Sequence, residues 1–174
     1  MDLRFMLDYA RVIKGDVFDP DRVRLAIAGA DVVLSALGVD LLHRDEPVAS
    51  EGTRNIITAM KESGVPRLIV LSSFGIGDSQ DRMNPTALVL MDKLLGPIMS
   101  DKHDQEEEVR TSGLEWVIVR PVRLTRGPLT GVYRAASGLR PGLAAKISRA
   151  DVAHFMLDQC VRDRHLGTAV TLTY

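Results

Sequence analysis

Three apolar runs that end in small or polar residues constrain this chain more than any other feature. They are residues 31–38 (DVVLSALG), 67–74 (RLIVLSSF) and 115–120 (EWVIVR), the last ended by Pro121. Each is nearly continuous in apolar residues, as in a strand buried on both faces of a parallel sheet. Parallel strands need crossover connections, and helical patterns fill the intervals. Asp19 is placed to cap a helix with Pro20 at its first position. That helix carries Val23, Ala26, Ile27 and Ala30 on one face and stops near Gly29. A second helix is expected over about 46–63, with Val48, Gly52, Ile56, Ala59 and Met60 in one stripe, Gly64 as its cap and Pro66 beyond. Residues 85–99 read as a helix interrupted at Gly96-Pro97, and 101–111 as a charged helix. Ser148 and Asp151 resemble a capping box, opening a helix that buries Val152, Phe155, Met156 and Cys160. Short strands are expected at 11–13 and 168–174, loops at 39–45 and 75–84, and a looser pattern past Arg126. The alternation predicts an α/β fold, a doubly wound parallel sheet, as one domain over residues 1–174.

Composition narrows the function. With 22 basic and 23 acidic residues and a net charge of -1, nothing points to nucleic acid as a partner. One cysteine excludes a disulfide framework and favours a reducing compartment, hence a cytoplasmic location. No apolar run approaches a membrane span, and residues 1–16 have no signal-peptide core. His43, His103, His154 and His165 show no metal-ligand spacing, so no metal site is expected. Gly75-Ile76-Gly77 lacks the third glycine of a dinucleotide fingerprint. Ser72 lacks a nucleophile elbow, which argues against an α/β-hydrolase. Residues 104–108 (DQEEE) read as a solvated helix face.

Ligands of doubly wound sheets sit at the carboxyl ends of the strands. Four groups end strands here: Gly15-Asp16-Val17, Ala36-Leu37-Gly38, Ser72-Ser73-Phe74 and Pro121-Val122-Arg123. Asp16 could accept from an adenine amino group, or could satisfy its own turn. Ala36, Leu37 and Gly38 let a flat ligand approach, or simply end a strand. A hydroxyl of Ser72 or Ser73 could bond a substrate carbonyl or a nicotinamide amide, or nearby backbone. Arg120 is expected to neutralise a buried carboxylate. Arg123 could face an anionic ligand or enter an ion pair.

In order along the chain, GDVFDPDRV, AGADVVLSALG, SEGTRNIITAMKESGVPRLIVLSSFG, RTSGLEWVIVRPVRLTRGPLTG and ISRADVAHFML resemble the atypical short-chain dehydrogenase/reductases with an NAD(P)-binding Rossmann fold. Within them the chain is most similar to the biliverdin-IXβ reductase and NADPH-dependent flavin reductase branch, with NmrA-like proteins as wider relatives. The resemblance covers residues 10–172. It implies an NAD(P)H-dependent oxidoreductase, NADP(H) favoured, passing hydride to a small conjugated acceptor that is flavin, biliverdin-like or quinone-like. The alternative is a non-catalytic NmrA-like sensor of NAD(P), or an inactive homologue. By resemblance Asp16 and Val17 lie against the adenine, and Ala36, Leu37 and Gly38 border the ADP-ribose. Ser72 and Ser73 face nicotinamide and substrate, with Ser73 the donor, and Pro121 and Val122 pack on the nicotinamide. Phe74 and Arg123 reach the substrate, Arg123 standing where the branch carries a histidine. Lys102 falls near the lysine that holds the ribose in many short-chain enzymes, but Ile98 stands where their tyrosine would. A tyrosine-based proton relay is therefore not expected, and the resemblance to this branch implies hydride transfer by cofactor positioning with a proton from solvent. The partner is a small acceptor, with no membrane, in a monomer or weak homo-oligomer. The family's opening unit, a strand, Gly-rich turn, helix and second strand, has no counterpart in residues 1–9. A misassigned start, a fragment or a shortened protein would each account for that, the first being preferred.

Overall fold

The computed structural model describes residues 10–174. Its elements in chain order are α1 (Pro20–Ile27), β1 (Val32–Ser35), α2 (Val48–Ser63), β2 (Arg67–Leu71), a 3-10 turn (Gly77–Arg82), α3 (Pro85–Thr111), β3 (Glu115–Pro121), β4 (Arg123–Thr125), β5 (Arg134–Ala136), β6 (Lys146–Ser148), α4 (Arg149–Asp158) and β7 (Thr168–Thr173). The main sheet has the order β1-β2-β3-β7-β5. Its first four strands are parallel, with Leu34 opposite Ile69 and Ile69 opposite Val117, while β5 runs antiparallel to β7. A small parallel pair, β4 and β6, sits beside it.

The continuous apolar runs of β2 and β3 are explained by burial on both faces, whereas β1 departs from that expectation: it is the outer strand of the sheet among the described residues and leaves Leu34 38% exposed. Leu68 and Val70 of β2 and Ile118 of β3 pack with Val23, Ile27, Ile56, Met60 and Val109 from α1, α2 and α3. Their neighbours Ile69, Val117 and Val119 point the other way, toward Val152, Phe155 and Met156 of α4. The helix signals act as expected. Asp19 accepts from the Asp21 and Arg22 N–H groups, Pro20 opens α1, and Gly64 ends α2 with φ 70°, a left-handed conformation that glycine adopts without strain.

Three expectations need correction. Residues 11–13 form no strand. Val12 is 80% exposed there, and none of the described strands pairs with this segment. The two expected helices of 85–111 are one 27-residue helix with Pro97 inside it. Pro97 is exposed, so the carbonyl its ring leaves unpaired can be hydrated, and Asn84 caps the helix start by accepting from Thr86 and Ala87. The looser region past Arg126 holds β5 and β6, each only three residues long and thus too short to show a period.

Close packing holds the strand ends against α2. A Cβ added at Gly52 would lie 2.7 Å from Leu37 Cδ1 and 2.8 Å from Val17 Cγ2. Gly52→Ala is therefore expected to lower stability by about 1–3 kcal/mol in urea unfolding, because the two side chains must shift.

Candidate functional site

A cavity of about 560 Å³ opens at the carboxyl ends of β2 and β3. Ser72, Ser73 and Phe74 enter it just past β2, Pro121 from the end of β3, Val122 and Arg123 from the step into β4, and Ala87, Met91 and Leu95 of α3 form a wall. Six of the expected site residues thus come together around one space. Their carriers are locked: the Ser72 N–H donates to the Val119 carbonyl at 2.7 Å and the Phe74 N–H to the Pro121 carbonyl at 3.0 Å.

The two serines differ. Ser72 Oγ donates to Glu106 Oε1 at 2.6 Å and is spent inside the protein. Ser73 Oγ makes only a 3.3 Å contact to the Phe74 carbonyl and is the less engaged hydroxyl. Glu106 in turn holds Arg120, from Nε to Oε1 at 2.8 Å and Nη2 to Oε2 at 2.5 Å. Arg120 Nη1 reaches Asp78 Oδ1 at 2.7 Å. Both Arg120 and Glu106 are 1% exposed. Burial works against these charges, yet the ion pairs outweigh it, raising the pKa of Arg120 and lowering that of Asp78. Arg120 does neutralise buried carboxylate, and Glu106, placed by its charge run on a solvated face, is the partner. A signal for this existed: Glu106 is four residues from Lys102 and three from Val109, along one helix stripe.

Lys102 is also buried. Its Nζ donates to the carbonyls of Leu37 and Leu71 at 2.7 Å each and to Gln105 Oε1 at 3.1 Å. All three protons have protein acceptors, so the ammonium ties the end of β2 to the segment after β1. Burial lowers its pKa to about 8, with Asp101 and Glu106 opposing. The unfolded chain, with lysine at 10.5, then binds more protons between pH 8 and 10.5. Stability should rise with pH across that window by up to about 3 kcal/mol, and the rise should vanish in Lys102→Met when urea midpoints are compared.

The remaining expected residues lie toward β1. Asp16 is exposed and Oδ1 accepts from the Phe18 N–H at 3.0 Å, an aspartate satisfying its own turn. The Val17 carbonyl accepts from Asn55 Nδ2 at 2.9 Å. Both residues border a second cavity of about 370 Å³, which runs along β1 beside Val23 and Ile27 of α1. Ala36 and Gly38 are exposed, and a Cβ at Gly38 would meet nothing within 4 Å. The GPLTG segment is held by Asp151, which accepts from the Thr130 and Gly131 N–H groups at 2.9 and 2.8 Å and from the Tyr174 hydroxyl at 2.6 Å. Beyond its part in capping, Asp151 is thus a loop anchor, a role its sequence context did not announce.

Residues 6–163 match the sequence profile of the family described as NAD(P)H-binding. The chain belongs to that family. It is 29% identical over 137 residues to the uncharacterized sugar epimerase YhfK of Bacillus subtilis, covering 77% of this chain and 58% of that protein. An uncharacterized chloroplastic protein of Arabidopsis thaliana is 27% identical over 128 residues, 70% of this chain and 45% of its own length. The chain spans about half the length of these curated relatives. Among solved structures, the anaerobillin reductase ChuY of Escherichia coli superposes with TM-score 0.77 at 22% identity, over 97% of this chain and 77% of that one. A short-chain dehydrogenase/reductase of Veillonella parvula in complex with NADP gives 0.74 at 20%, over 94% and 71%. These two share the fold of this chain.

A nicotinamide dinucleotide is the cofactor class of this family, and the residues present fit its nicotinamide half. The cavity offers a largely apolar wall for a flat ring and the Ser73 hydroxyl for an amide, and Gly38 leaves open space beside the strand ends. Ser35 Oγ, at the end of β1, is buried with no partner among the described residues. The pyrophosphate half is different. Asp19, Asn84 and Ser148 cap α1, α3 and α4, and the Asp101 carboxylate takes the Ala49 and Ser50 N–H groups of α2 at 2.8 Å each. No helix N-terminus among the described residues is left uncapped for an anion.

Proposed function

We propose that this chain is an NAD(P)H-dependent reductase, NADP(H) favoured, of a small conjugated acceptor: a flavin, a biliverdin-like or a quinone-like compound. The cavity at the ends of β2 and β3 carries the reading. Among the described residues its lining is largely apolar, with Ser72, Ser73, Asn84, Arg123 and Arg149 as the polar side chains. Orientation of the ring and the acceptor is what these residues contribute. When bound, the cofactor supplies the hydride. Ser73 donates to the amide or to the acceptor carbonyl, while Pro121 and Val122 pack on the ring and Phe74 and Arg123 contact the acceptor. Solvent delivers the balancing proton at the cavity mouth. Asp16 and Val17 take the adenine and Ala36, Leu37 and Gly38 the ribose side. Lys102 acts on them by fixing the Leu37 carbonyl, a positioning role.

The test is NADPH oxidation with FMN, riboflavin, menadione and biliverdin as acceptors. Saturable turnover with at least one is expected, and none with any of the four would remove the reading. One observation favours a second reading, a non-catalytic sensor of NAD(P): Lys102 spends all three protons on the protein. A sensor would bind NADPH and NADP with different affinities and turn over nothing.

A further inference from the structure

The chain as a whole is close to neutral, with a net charge of -1, but the 560 Å³ cavity is not. Arg123 and Arg149 both line it, and among the described residues no aspartate or glutamate does. The other long side chains around them are apolar: Phe74, Met83, Met91 and Leu143. Elsewhere in the fold seven arginines, Arg24, Arg54, Arg67, Arg82, Arg110, Arg120 and Arg162, each reach a carboxylate within 4.0 Å. Others, such as Arg126 and Arg140, are exposed without one among the described residues, so what distinguishes Arg123 and Arg149 is their place in the cavity lining. Among the described residues neither Arg123 nor Arg149 has a carboxylate partner. Their carriers are nonetheless fixed. Arg123 opens β4 opposite Lys146 of β6, and Arg149 begins α4 immediately after Ser148, the buried residue that caps it. Two positive charges on ordered backbone, facing an apolar space with no counter-charge in its lining, make a site for a flat apolar ligand that bears its own anion.

We propose that Arg123 and Arg149 select acceptors carrying a carboxylate or phosphate substituent, and discriminate against neutral acceptors with the same ring. The proposal rests on the reductase reading for the identity of the site, but anion selection is a binding property and can be read without turnover. Guanidinium is suited to the task, since its fork meets two oxygens of either group at once.

The experiment is a titration of the full chain with FMN and with riboflavin, which share one ring and differ by a phosphate, followed by flavin fluorescence. Biliverdin and its dimethyl ester form the second pair, differing by two carboxylates. FMN and biliverdin are expected to bind about tenfold more tightly than their neutral counterparts at low ionic strength, with the advantage shrinking as salt is added. In Arg123→Met/Arg149→Met the advantage should disappear, the charged member of each pair losing more affinity than the neutral one. A cooperative urea transition shows that the variant still folds. Equal affinity within both pairs overturns the proposal, as does absence of binding by all four compounds or an equal loss for charged and neutral members in the variant. Discrimination without NADPH oxidation would keep anion selection and remove the reductase reading. Turnover of riboflavin and menadione with no advantage for FMN or biliverdin would do the reverse.

Discussion

Arg120→Met is expected to destabilise the protein by about 3–5 kcal/mol in urea unfolding, the largest single effect on the fold. The substitution leaves Glu106, 1% exposed, as a buried carboxylate without its fork of 2.8 and 2.5 Å hydrogen bonds. Asp78 loses its 2.7 Å contact at the same time, which loosens the 3-10 turn beside the cavity. Gly77 belongs to that turn and approaches Arg120 so closely that an added Cβ would lie 2.9 Å from Nη2. Removing both charges should be far milder. Arg120→Met/Glu106→Leu is expected to recover most of the loss, because the penalty comes from an orphaned charge rather than from a missing attraction. Ser72 then separates structure from function. Its hydroxyl loses the Glu106 acceptor in the double variant, so turnover should stay depressed even where stability returns. Full recovery of both would mean that Ser72 need not be held.

The second large effect concerns turnover. Ala87→Trp places an indole in the cavity from α3, a helix wall whose neighbours Val89, Leu90 and Leu94 are more than half exposed. The fold should tolerate it. NADPH affinity is expected to change little, since Ala87 lies across the cavity from the strand ends assigned to the nicotinamide. Acceptor reduction should fall by about 100-fold or more, as an acceptor displaced by an ångström or two loses its reacting geometry. Steady-state rates with the best acceptor of the panel, set beside an NADPH titration, separate the two quantities. A variant that loses NADPH binding instead would place the cofactor against α3.

The sheet was legible because each of its central strands is buried on both faces. Leu68, Ile69 and Val70 of β2, like Val117, Ile118 and Val119 of β3, point alternately to two cores. Local signals were equally clear: Asp19-Pro20 and Gly64 mark helix ends through contacts within a few residues. What failed was non-local. Residues 11–13 have the composition of a strand, but pairing depends on a neighbour that composition does not reveal. Glu106 sits in a charge run, and only a strand arriving 14 residues later turns it inward. Asp101 looks like an ordinary helix aspartate until α2 presents Ala49 and Ser50 to it. The strand ends around Ser72, Ser73, Pro121 and Val122 could be found from fold topology alone, since crossovers place such ends side by side. Arg149 could not, because its place in the same cavity lining as Arg123 depends on β4 pairing with β6, two strands of three residues each.

The central claim is that the cavity at the ends of β2 and β3 receives the reduced nicotinamide. Titration of the 174-residue chain with NADPH, followed by nicotinamide fluorescence, tests it most directly. Saturable binding with increased, blue-shifted emission is expected as the ring leaves water for the Pro121 and Val122 wall, and Ser73→Trp should abolish the signal. A cooperatively folded chain that leaves the emission of NADPH unchanged, or one whose signal survives Ser73→Trp intact, would contradict it.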